Sequence, residues 1–388
     1  MNIQKEKETG IMGRKRMYAM VLALTVAATA LSGCGGKDKD SQKKENTQQG
    51  WPGENTEQGA DTEYGDSQGS EITGTDTEEP PVQYPAISSD ESVIKHGAVV
   101  QVGDAAYELY SYSEDAADIY AMAVNKAAEE LSGKAQVYSL MIPLSSAITF
   151  PDNLRDQISS ADQQQAIQKI GNKLDAAVTY VDFYDDLMAH RDEYIYFRTD
   201  HHWTARGAYY AYEKFCRAKG IDPEALDSYA TKDFDGFLGS FYNDTNKDAK
   251  LGANPDVVTA YLPKMSAICH VEDSKGVKYD SAVIYDETKA PAGLKYSAFI
   301  AGDNPYTEIV NHELTDGSAC IVLKESFGNA FVPFLVDHYQ TIYVIDYRYW
   351  SGNVGTLAEE KGVTDVIFVN NLSMARSKSL VSKLYRVI

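Results

Sequence analysis

The chain has 388 residues and a formal net charge of −21, from 57 acidic and 36 basic side chains. This excess of negative charge argues against nucleic-acid binding, because the phosphates would repel the protein, and against electrostatic attachment to anionic lipids. The length suits one large domain together with a targeting segment and a linker.

Residues 1–33 are predicted to be a secretory signal peptide. A basic region at residues 14–16 precedes an apolar run at residues 17–30, which is too short to cross a bilayer comfortably as a permanent helix. The LSGC stretch at residues 31–34 resembles the lipobox of bacterial lipoproteins. This resemblance implies a lipidated Cys34 and a lipid-anchored position at the extracellular face of the cell membrane. A conventional signal peptide and an uncleaved anchor are the alternatives.

Residues 34–90 are predicted to be a disordered acidic tether. Gly, Ser, Thr, Gln, Asp and Glu dominate this segment, which has too little apolar surface to offset the entropy lost on ordering. The GDS triplet at residues 65–67 matches a hydrolase nucleophile motif in its letters only, because no predicted strand precedes it and no predicted helix follows it.

Residues 91–388 are predicted to form one α/β domain, in which the first half alternates strands with helices. The predicted elements are strands at 98–102 and 106–110, a helix from Ser113 to Gly133, a strand at 135–143, a helix capped by Ser160, a strand at 178–181 and a helix ending at Gly220.

The pattern changes between about residues 231 and 317, where short alternating runs broken by Gly, Pro, Asn and Asp predict a β-rich insertion. Strands and helices then alternate again, with strands at 319–326, 341–347 and 363–371 and helices at 328–339 and 352–362. Such short units predict a mainly parallel sheet covered on both faces. We therefore expect the functional site beyond the carboxyl ends of its strands.

Ser326 stands at one such end, between an apolar strand and a helix that opens with small residues. A serine there can present its hydroxyl at the sheet edge as a nucleophile. Lys324 occupies the first glycine position of the G-x-S-x-G elbow, so that motif is not met. From the local sequence alone, a simple helix N-cap is an equal alternative.

The stretch YFRTDHHWTARGAYYAY at residues 196–212 supplies the groups that a serine nucleophile needs. Asp200 and His202 are spaced so that the carboxylate can orient the imidazole and the imidazole can accept the serine proton. A metal site formed by Asp200, His201 and His202 is one alternative, although adjacent side chains usually diverge. The other is that the two histidines only cap the following helix.

The same stretch resembles the signature of the DHHW proteins, which are relatives of the SGNH-hydrolase-like O-acetyltransferases that act in alginate and other polysaccharide acetylation. Further markers recur in order: GSFY at 239–242, AGDNP at 301–305, VLKESFGNAFVPFL at 322–335 and the asparagine pair at 370–371. The resemblance covers residues 93–388. It implies a three-layer, flavodoxin-like fold with a circularly permuted motif order, because the Asp/His pair precedes the serine.

The resemblance also implies site residues. The triad maps to Asp200, His202 and Ser326, and the oxyanion hole to Asn371, with Asn370 as the alternative, and to the Gly352 backbone N–H. The match is incomplete, because KES at 324–326 replaces the usual Gly-Asp-Ser, and Val369 and Leu372 replace the first and last residues of Gly-x-Asn-Asp.

Six further residues are substrate-binding candidates. We expect the rim of the site, or packing beside it, to involve Arg198 and Trp203, and stacking on sugar rings to involve Tyr242, Tyr347, Tyr349 and Trp350. His201 is expected to be a spacer or rim residue rather than the base.

The function implied is an O-acetyltransferase or acetylesterase that acts on cell-surface polysaccharide through an acetyl-serine. No cofactor and no metal are expected. The expected partners are a polysaccharide acceptor, a membrane-bound O-acyltransferase that supplies the acetyl group, and the membrane itself through the lipid anchor, but no nucleic acid. The alternative is a non-catalytic lipoprotein that binds glycan or assembles a surface complex.

A disulfide between Cys269 and Cys320 is a further possibility, although three cysteines besides Cys34 cannot all pair.

Overall fold

The structure is a computed structural model that describes residues 83–388. The predicted signal peptide, Cys34 and most of the predicted tether lie outside these residues. The described chain starts within the predicted tether, and its first residues are held by the domain. The Tyr84 hydroxyl donates to Asp185 over 2.7 Å, and the Asp152 N–H donates to the Ile87 carbonyl over 2.8 Å. Among the described helices, none is long and apolar enough to cross a membrane.

The described residues form three sheets. The strands are β1 Val93–His96, β2 Val99–Val102, β3 Ala105–Glu108, β4 Gln136–Ile142, β5 Val178–Val181, β6 Ala230–Phe237, β7 Asp256–Leu262, β8 Ala267–Glu272, β9 Lys278–Ala282, β10 Tyr306–Asn311, β11 Ala319–Lys324, β12 Thr341–Asp346 and β13 Asp365–Asn371. Strands β1–β3 form one antiparallel sheet and β6–β7 another, while the remaining eight strands form the central sheet in the order β5-β4-β13-β11-β12-β10-β8-β9.

Helices cover both faces of the central sheet. The helices of the described residues are α1 Glu114–Glu130, α2 Ser145–Ile148, α3 Gln163–Gly171, α4 Tyr184–Ala189, α5 Ala205–Lys219, α6 Ser240–Asp244, α7 Ala249–Ala253, α8 Gly328–Phe331, α9 Val354–Lys361, α10 Leu372–Ala375 and α11 Lys378–Val387. Short 3₁₀ segments occur at Asp152–Gln157, Leu226–Ser228, Ala292–Ala298 and Val332–Leu335.

Alternate residues of each strand enter two separate cores. On β11, Val322 packs with α5 and α8, whereas Ile321 and Leu323 pack with α1, α9 and α11. This alternation follows from the opposite directions of successive side chains in a strand. The two apolar faces explain why the strands are almost continuously hydrophobic, and the predicted α/β architecture is confirmed.

The prediction of a mainly parallel sheet is correct for only part of the sheet. Strands β5, β4, β13, β11 and β12 are parallel neighbours, but β10, β8 and β9 continue the sheet in antiparallel fashion. These three strands come from the region predicted as a β-rich insertion. Their alternating pattern indicates strands, but it does not encode which sheet edge they join.

The cysteine arrangement rules out the proposed bridge. Cys269 pairs with Ile309, Ile309 with Ile342, and Ile342 with Cys320, so the two cysteines lie three strands apart. That separation is about 14 Å at the usual strand spacing, whereas disulfide Cα atoms lie within about 7 Å. Both residues, like Cys216, are buried free thiols.

Two helix caps differ in how well the sequence predicts them. The Ser113 side chain accepts the Ala116 N–H at the start of α1, as predicted. The predicted Ser160 cap is wrong, because Asp162 caps α3 by accepting the Gln165 N–H. The Ser160 hydroxyl oxygen instead accepts the Tyr110 N–H over 3.0 Å.

Candidate active site

Ser326 lies in the turn between β11 and α8, at the carboxyl end of a central parallel strand. Its side chain is half-buried, so the hydroxyl can be reached from solvent. The turn is tight, since a Cβ on Gly328 would lie 2.5 Å from the Lys324 Cβ. Gly328 stands at the second glycine position of the G-x-S-x-G elbow, so close approach at this turn depends on the one elbow glycine that the chain keeps.

The loop before α5 presents the Asp/His pair. The Phe197 N–H donates to the His202 carbonyl over 3.2 Å, which closes the loop around Asp200. The cap of α5 is Thr204, whose hydroxyl oxygen accepts the Gly207 N–H over 3.3 Å. The alternative in which the histidines only cap this helix is therefore wrong.

Asp200, His202 and Ser326 form a continuous hydrogen-bond chain. His202 Nε2 lies 2.7 Å from Ser326 Oγ, and His202 Nδ1 lies 2.6 Å from Asp200 Oδ1. Burial alone would raise the pKa of the Asp200 carboxyl, but the adjacent His201 and His202 rings and hydrogen bonds hold it well below its usual range. An ionised carboxylate in this place fixes the tautomer in which Nε2 faces the serine.

The GSFY segment holds the carboxylate from the other side. The Ser240 N–H donates to Asp200 Oδ2 over 2.8 Å. A Cβ on Gly239 would lie 2.1 Å from the same oxygen, so only glycine leaves room for the Asp200 side chain. The GSFY segment thus packs directly against Asp200, which explains why both segments belong to the sequence signature.

His201 is hydrogen-bonded to Ser240 and not to the nucleophile. Its Nδ1 lies 2.7 Å from the Ser240 hydroxyl oxygen, and its ring packs beside that of His202 at 3.9 Å between centroids. Partial burial and the neighbouring His202 lower the pKa of His201. The structure therefore places His201 beside the hydrogen-bond chain rather than within it.

Donor atoms of Asp200, His201 and His202 lie within 4.8 Å of one another, so the metal alternative must be tested against their contacts. His202 Nε2 is engaged by Ser326, and His201 Nδ1 by Ser240. These contacts favour the hydrogen-bonded arrangement.

Glu325 stands at the aspartate position of the usual Gly-Asp-Ser, but the sequence motifs assigned it no role of its own. It is buried, and its carboxylate accepts the Phe327 N–H over 3.2 Å and the Asn371 N–H over 3.0 Å. Its Oε2 also lies 3.4 Å from Ser326 Oγ. Burial raises the pKa of Glu325. The signal in the sequence was its place in KES at residues 324–326, where the usual motif has an aspartate.

Tyr296 is a second residue that was missed. Its ring stacks on His202 with centroids 4.1 Å apart, and its hydroxyl donates to the Ser326 carbonyl over 3.1 Å. It lies 30 residues before Ser326, in the 3₁₀ segment Ala292–Ala298, and no motif in the sequence marks it.

The predicted oxyanion-hole residues have other contacts. Asn371 caps α10, where its side-chain oxygen accepts the Met374 N–H over 3.1 Å, and its backbone reaches the site only through Glu325. The Asn370 amide donates to the Leu323 carbonyl over 3.0 Å. Gly352 packs against the Trp350 indole, where an added Cβ would lie 2.2 Å from the ring.

Trp203 is buried completely, which contradicts its assignment as a substrate-binding residue. Its indole N–H donates to the Phe327 carbonyl over 2.9 Å. Arg198 is also occupied, since its guanidinium lies 3.4 Å from Asp256 and over the Tyr194 ring. Both side chains are therefore engaged by other parts of the protein.

The predicted sugar-stacking residues differ in exposure, and the prediction for Tyr347 is wrong because its side chain is buried. Tyr242 is half-buried and packs against Gly252, where an added Cβ would lie 3.1 Å from its ring. Tyr349 is 43% exposed, with the Arg348 guanidinium 5.3 Å from its ring centroid. Trp350 is half-buried and lines an open groove of about 410 Å³ together with Tyr306. Tyr349 and Trp350 are thus accessible to a ligand.

A charged network lies directly behind the nucleophile turn. Lys324 Nζ is 3.0 Å from Asp303 and 3.3 Å from Asp346, and Arg348 lies 2.8 and 2.6 Å from the same two carboxylates. Lys324 and Asp346 are buried, whereas the Asp303 side chain is 30% exposed. The network joins the AGDNP segment to the end of β12.

Both the sequence and the fold match known proteins. The model of a family described as "DHHW protein" matches residues 63–345. The structure of a DHHW family protein from Eubacterium siraeum DSM 15702 is 30% identical, with a TM-score of 0.67, and the match covers 77% of this chain and 97% of that chain. No match was found among curated proteins.

More distant structures share the fold. Bacillus cereus PatB1 is 20% identical, with a TM-score of 0.60 over 77% of this chain and 100% of that chain. PatB1 with a sulfonyl adduct is 18% identical, with a TM-score of 0.61 over 76% and 99% of the respective chains.

Proposed function

The chain belongs to the DHHW family, and from this premise we propose that it is a polysaccharide O-acetyltransferase or acetylesterase with Ser326 as its nucleophile. The observation that carries the proposal is the hydrogen-bond chain from Ser326 through His202 to Asp200, with distances of 2.7 and 2.6 Å. A hydroxyl, an imidazole and a carboxylate in this order form an acyl-transfer triad.

The proposed reaction has two steps. His202 Nε2 takes the Ser326 proton while Oγ bonds to the acetyl carbonyl carbon, and the donor alcohol leaves with the proton that His202 returns. The hydroxyl of a sugar then gives its proton to His202 while its oxygen bonds to the acetyl carbon. The ester bond to Ser326 Oγ breaks, and His202 returns the proton to Oγ. Water in place of the sugar gives hydrolysis.

The oxyanion requires donors near Ser326. The Phe327 N–H directly follows the nucleophile, but in this structure it donates to Glu325, as does the Asn371 N–H. Stabilisation of the oxyanion by these amides requires that Glu325 release them. Asn371 and Gly352 remain proposals as oxyanion-hole residues.

The motif order supports the proposed relationship to permuted SGNH hydrolases. The histidine precedes the serine by 124 residues, whereas ordinary SGNH enzymes carry the serine first. A lipidated Cys34 would hold the domain at the extracellular face of the membrane, where a membrane-bound O-acyltransferase could supply acetyl groups. These localisation and partner assignments are part of the proposal.

A fluorophosphonate probe tests the nucleophile. We expect it to label the wild-type protein and to lose labelling in Ser326→Ala and His202→Ala, while Ser240→Ala, the other histidine-bonded serine near the site, stays labelled. Mass spectrometry after incubation with p-nitrophenyl acetate should locate an acetyl group on Ser326. Equal labelling of the wild-type protein and Ser326→Ala would sink the catalytic proposal in favour of a non-catalytic glycan-binding role.

A further inference from the structure

Tyr296 contacts both members of the nucleophile–base pair. Its ring lies on His202 with an interplanar angle of 14°, and its hydroxyl holds the Ser326 carbonyl. We propose that Tyr296 is a positioning residue that fixes the two reacting groups relative to each other and stabilises the protonated imidazole. The inference rests on the proposed function, because it concerns the same proton transfer.

Neighbouring aromatic rings enclose the Tyr296 side chain. The side chain is buried and meets Phe197 edge-on at 6.1 Å and Phe299 at 5.3 Å between ring centroids. Burial raises the pKa of Tyr296 well above its usual range, so the phenol stays neutral and its hydroxyl remains a donor. A fixed ring and a fixed donor can define the orientation of the groups that they touch.

The 3₁₀ segment that carries Tyr296 is also fastened to the segment that holds Asp200. The Leu238 N–H donates to the Ala292 carbonyl over 3.3 Å, two residues before the Ser240 N–H that binds Asp200. The β-rich insertion therefore supports the site at two points, the carboxylate and the imidazole.

The stacked ring can act on the charge of His202. The imidazole becomes cationic when it takes the serine proton, and the face of an aromatic ring attracts a cation. Asp200, His201 and Glu325 are the other titratable groups near this imidazole. Substitution of Tyr296 leaves all three in place, so its own contribution can be isolated.

The test compares Tyr296→Phe, which keeps the ring, with Tyr296→Leu, which removes it. For p-nitrophenyl acetate hydrolysis we expect kcat to fall about threefold to tenfold in Tyr296→Phe, from the lost hydrogen bond. In Tyr296→Leu we expect a fall of about tenfold or more with KM nearly unchanged. The acid limb of the pH–rate profile should move to lower pH only in Tyr296→Leu, because the protonated imidazole loses its stabilising neighbour.

Phe299→Leu is the matched control, since it also truncates a buried ring of this cluster but does not touch the pair. Phe299→Leu should lower the melting temperature without moving the acid limb of the pH–rate profile. If Tyr296→Leu does not fold, Tyr296→Met replaces it. An acid limb that stays in place in the ring-less variant, or that moves equally in Phe299→Leu, overturns the inference.

The titration of the His202 imidazole, followed by NMR, separates this inference from the proposed function. We expect the ring to titrate at lower pH in Tyr296→Leu than in the wild-type protein, whether or not an ester is hydrolysed. A wild-type protein without esterase activity or probe labelling would contradict the proposed function. Identical imidazole titrations would contradict only the role of Tyr296.

Discussion

The Trp203 indole N–H donates to the Phe327 carbonyl over 2.9 Å, which joins the residue after the base to the residue after the nucleophile. The bond spans 124 residues of sequence and is fully buried. The bond therefore ties the loop before α5 to the turn after β11.

Trp203→Phe should destabilise the protein, because it keeps a ring but leaves the buried Phe327 carbonyl without its donor. We expect a loss of about 1–3 kcal/mol in the free energy of unfolding, measured in urea. Trp350→Phe is the control, since that indole is half-buried in a groove wall. Equal losses in the two variants would argue against a specific role for the Trp203 bond.

Gly239→Ala should remove most activity while the fold persists. The new methyl would lie 2.1 Å from Asp200 Oδ2, so the carboxylate must move away from His202. A displacement of about 1 Å at such a site costs roughly a hundredfold in kcat/KM. The control is Gly293→Ala, where the nearest atom to an added Cβ is the Leu238 carbonyl oxygen at 3.5 Å. Similar kinetics in the two variants would contradict the proposed crowding.

Glu325 should make the stability of the domain depend on pH. Burial raises its pKa in the folded state above the unfolded value of about 4.3, so the folded protein binds the proton more tightly. The resulting stabilisation is complete below the unfolded pKa and is lost as the pH rises through the folded pKa. Urea unfolding from pH 4 to pH 8 should show this decline in the wild-type protein.

The free energy of unfolding of Glu325→Gln should change less over the same pH range. Glu129→Gln, at an exposed position on α1, should behave like the wild-type protein. A decline of equal size in Glu325→Gln would assign the pH dependence to another group.

Reducing agent should not change the melting temperature of the domain. Cys216, Cys269 and Cys320 are free and buried, and burial raises the pKa of Cys269 to about 12. We expect all three thiols to resist an aromatic disulfide reagent in the native domain and to react after denaturation. A drop in melting temperature with dithiothreitol would reveal a bridge that the strand order does not permit.

Chelation should not reduce esterase activity. His202 Nε2 contacts Ser326 and His201 Nδ1 contacts Ser240, and the triad needs His202 Nε2 for the proton. Activity before and after dialysis against EDTA measures this directly. Loss on dialysis, with recovery on adding zinc, would favour the metal alternative at Asp200, His201 and His202.

The meeting of Asp200, His202 and Ser326 was predictable, because parallel strands bring their carboxyl ends together and the sequence signature supplied the pairing. Tyr296 was not, because it lies in an irregular segment whose position relative to His202 depends on how the insertion packs. For Trp203 the sequence left a rim role and a packing role open for a related reason: an indole beside a catalytic pair can face either ligand or core, and only packing decides.

The fold, like the site, could be predicted only in part. Short units in which strands alternate with helices predicted the parallel strands β4, β5, β11, β12 and β13, and also predicted helices on both faces of the sheet. The antiparallel continuation through β10, β8 and β9 depends on long-range pairing, which hydrophobic periodicity does not encode.

The charged network behind the nucleophile limits how this protein can diverge. Lys324 and Asp346 are almost wholly enclosed, and each is balanced by a group of opposite charge. Losing one member alone would leave an uncompensated buried charge, at a cost of about 3–5 kcal/mol. Related chains that replace Lys324 by a neutral residue are therefore expected to have exchanged Asp303 or Asp346 as well, so that these positions are inherited as a set.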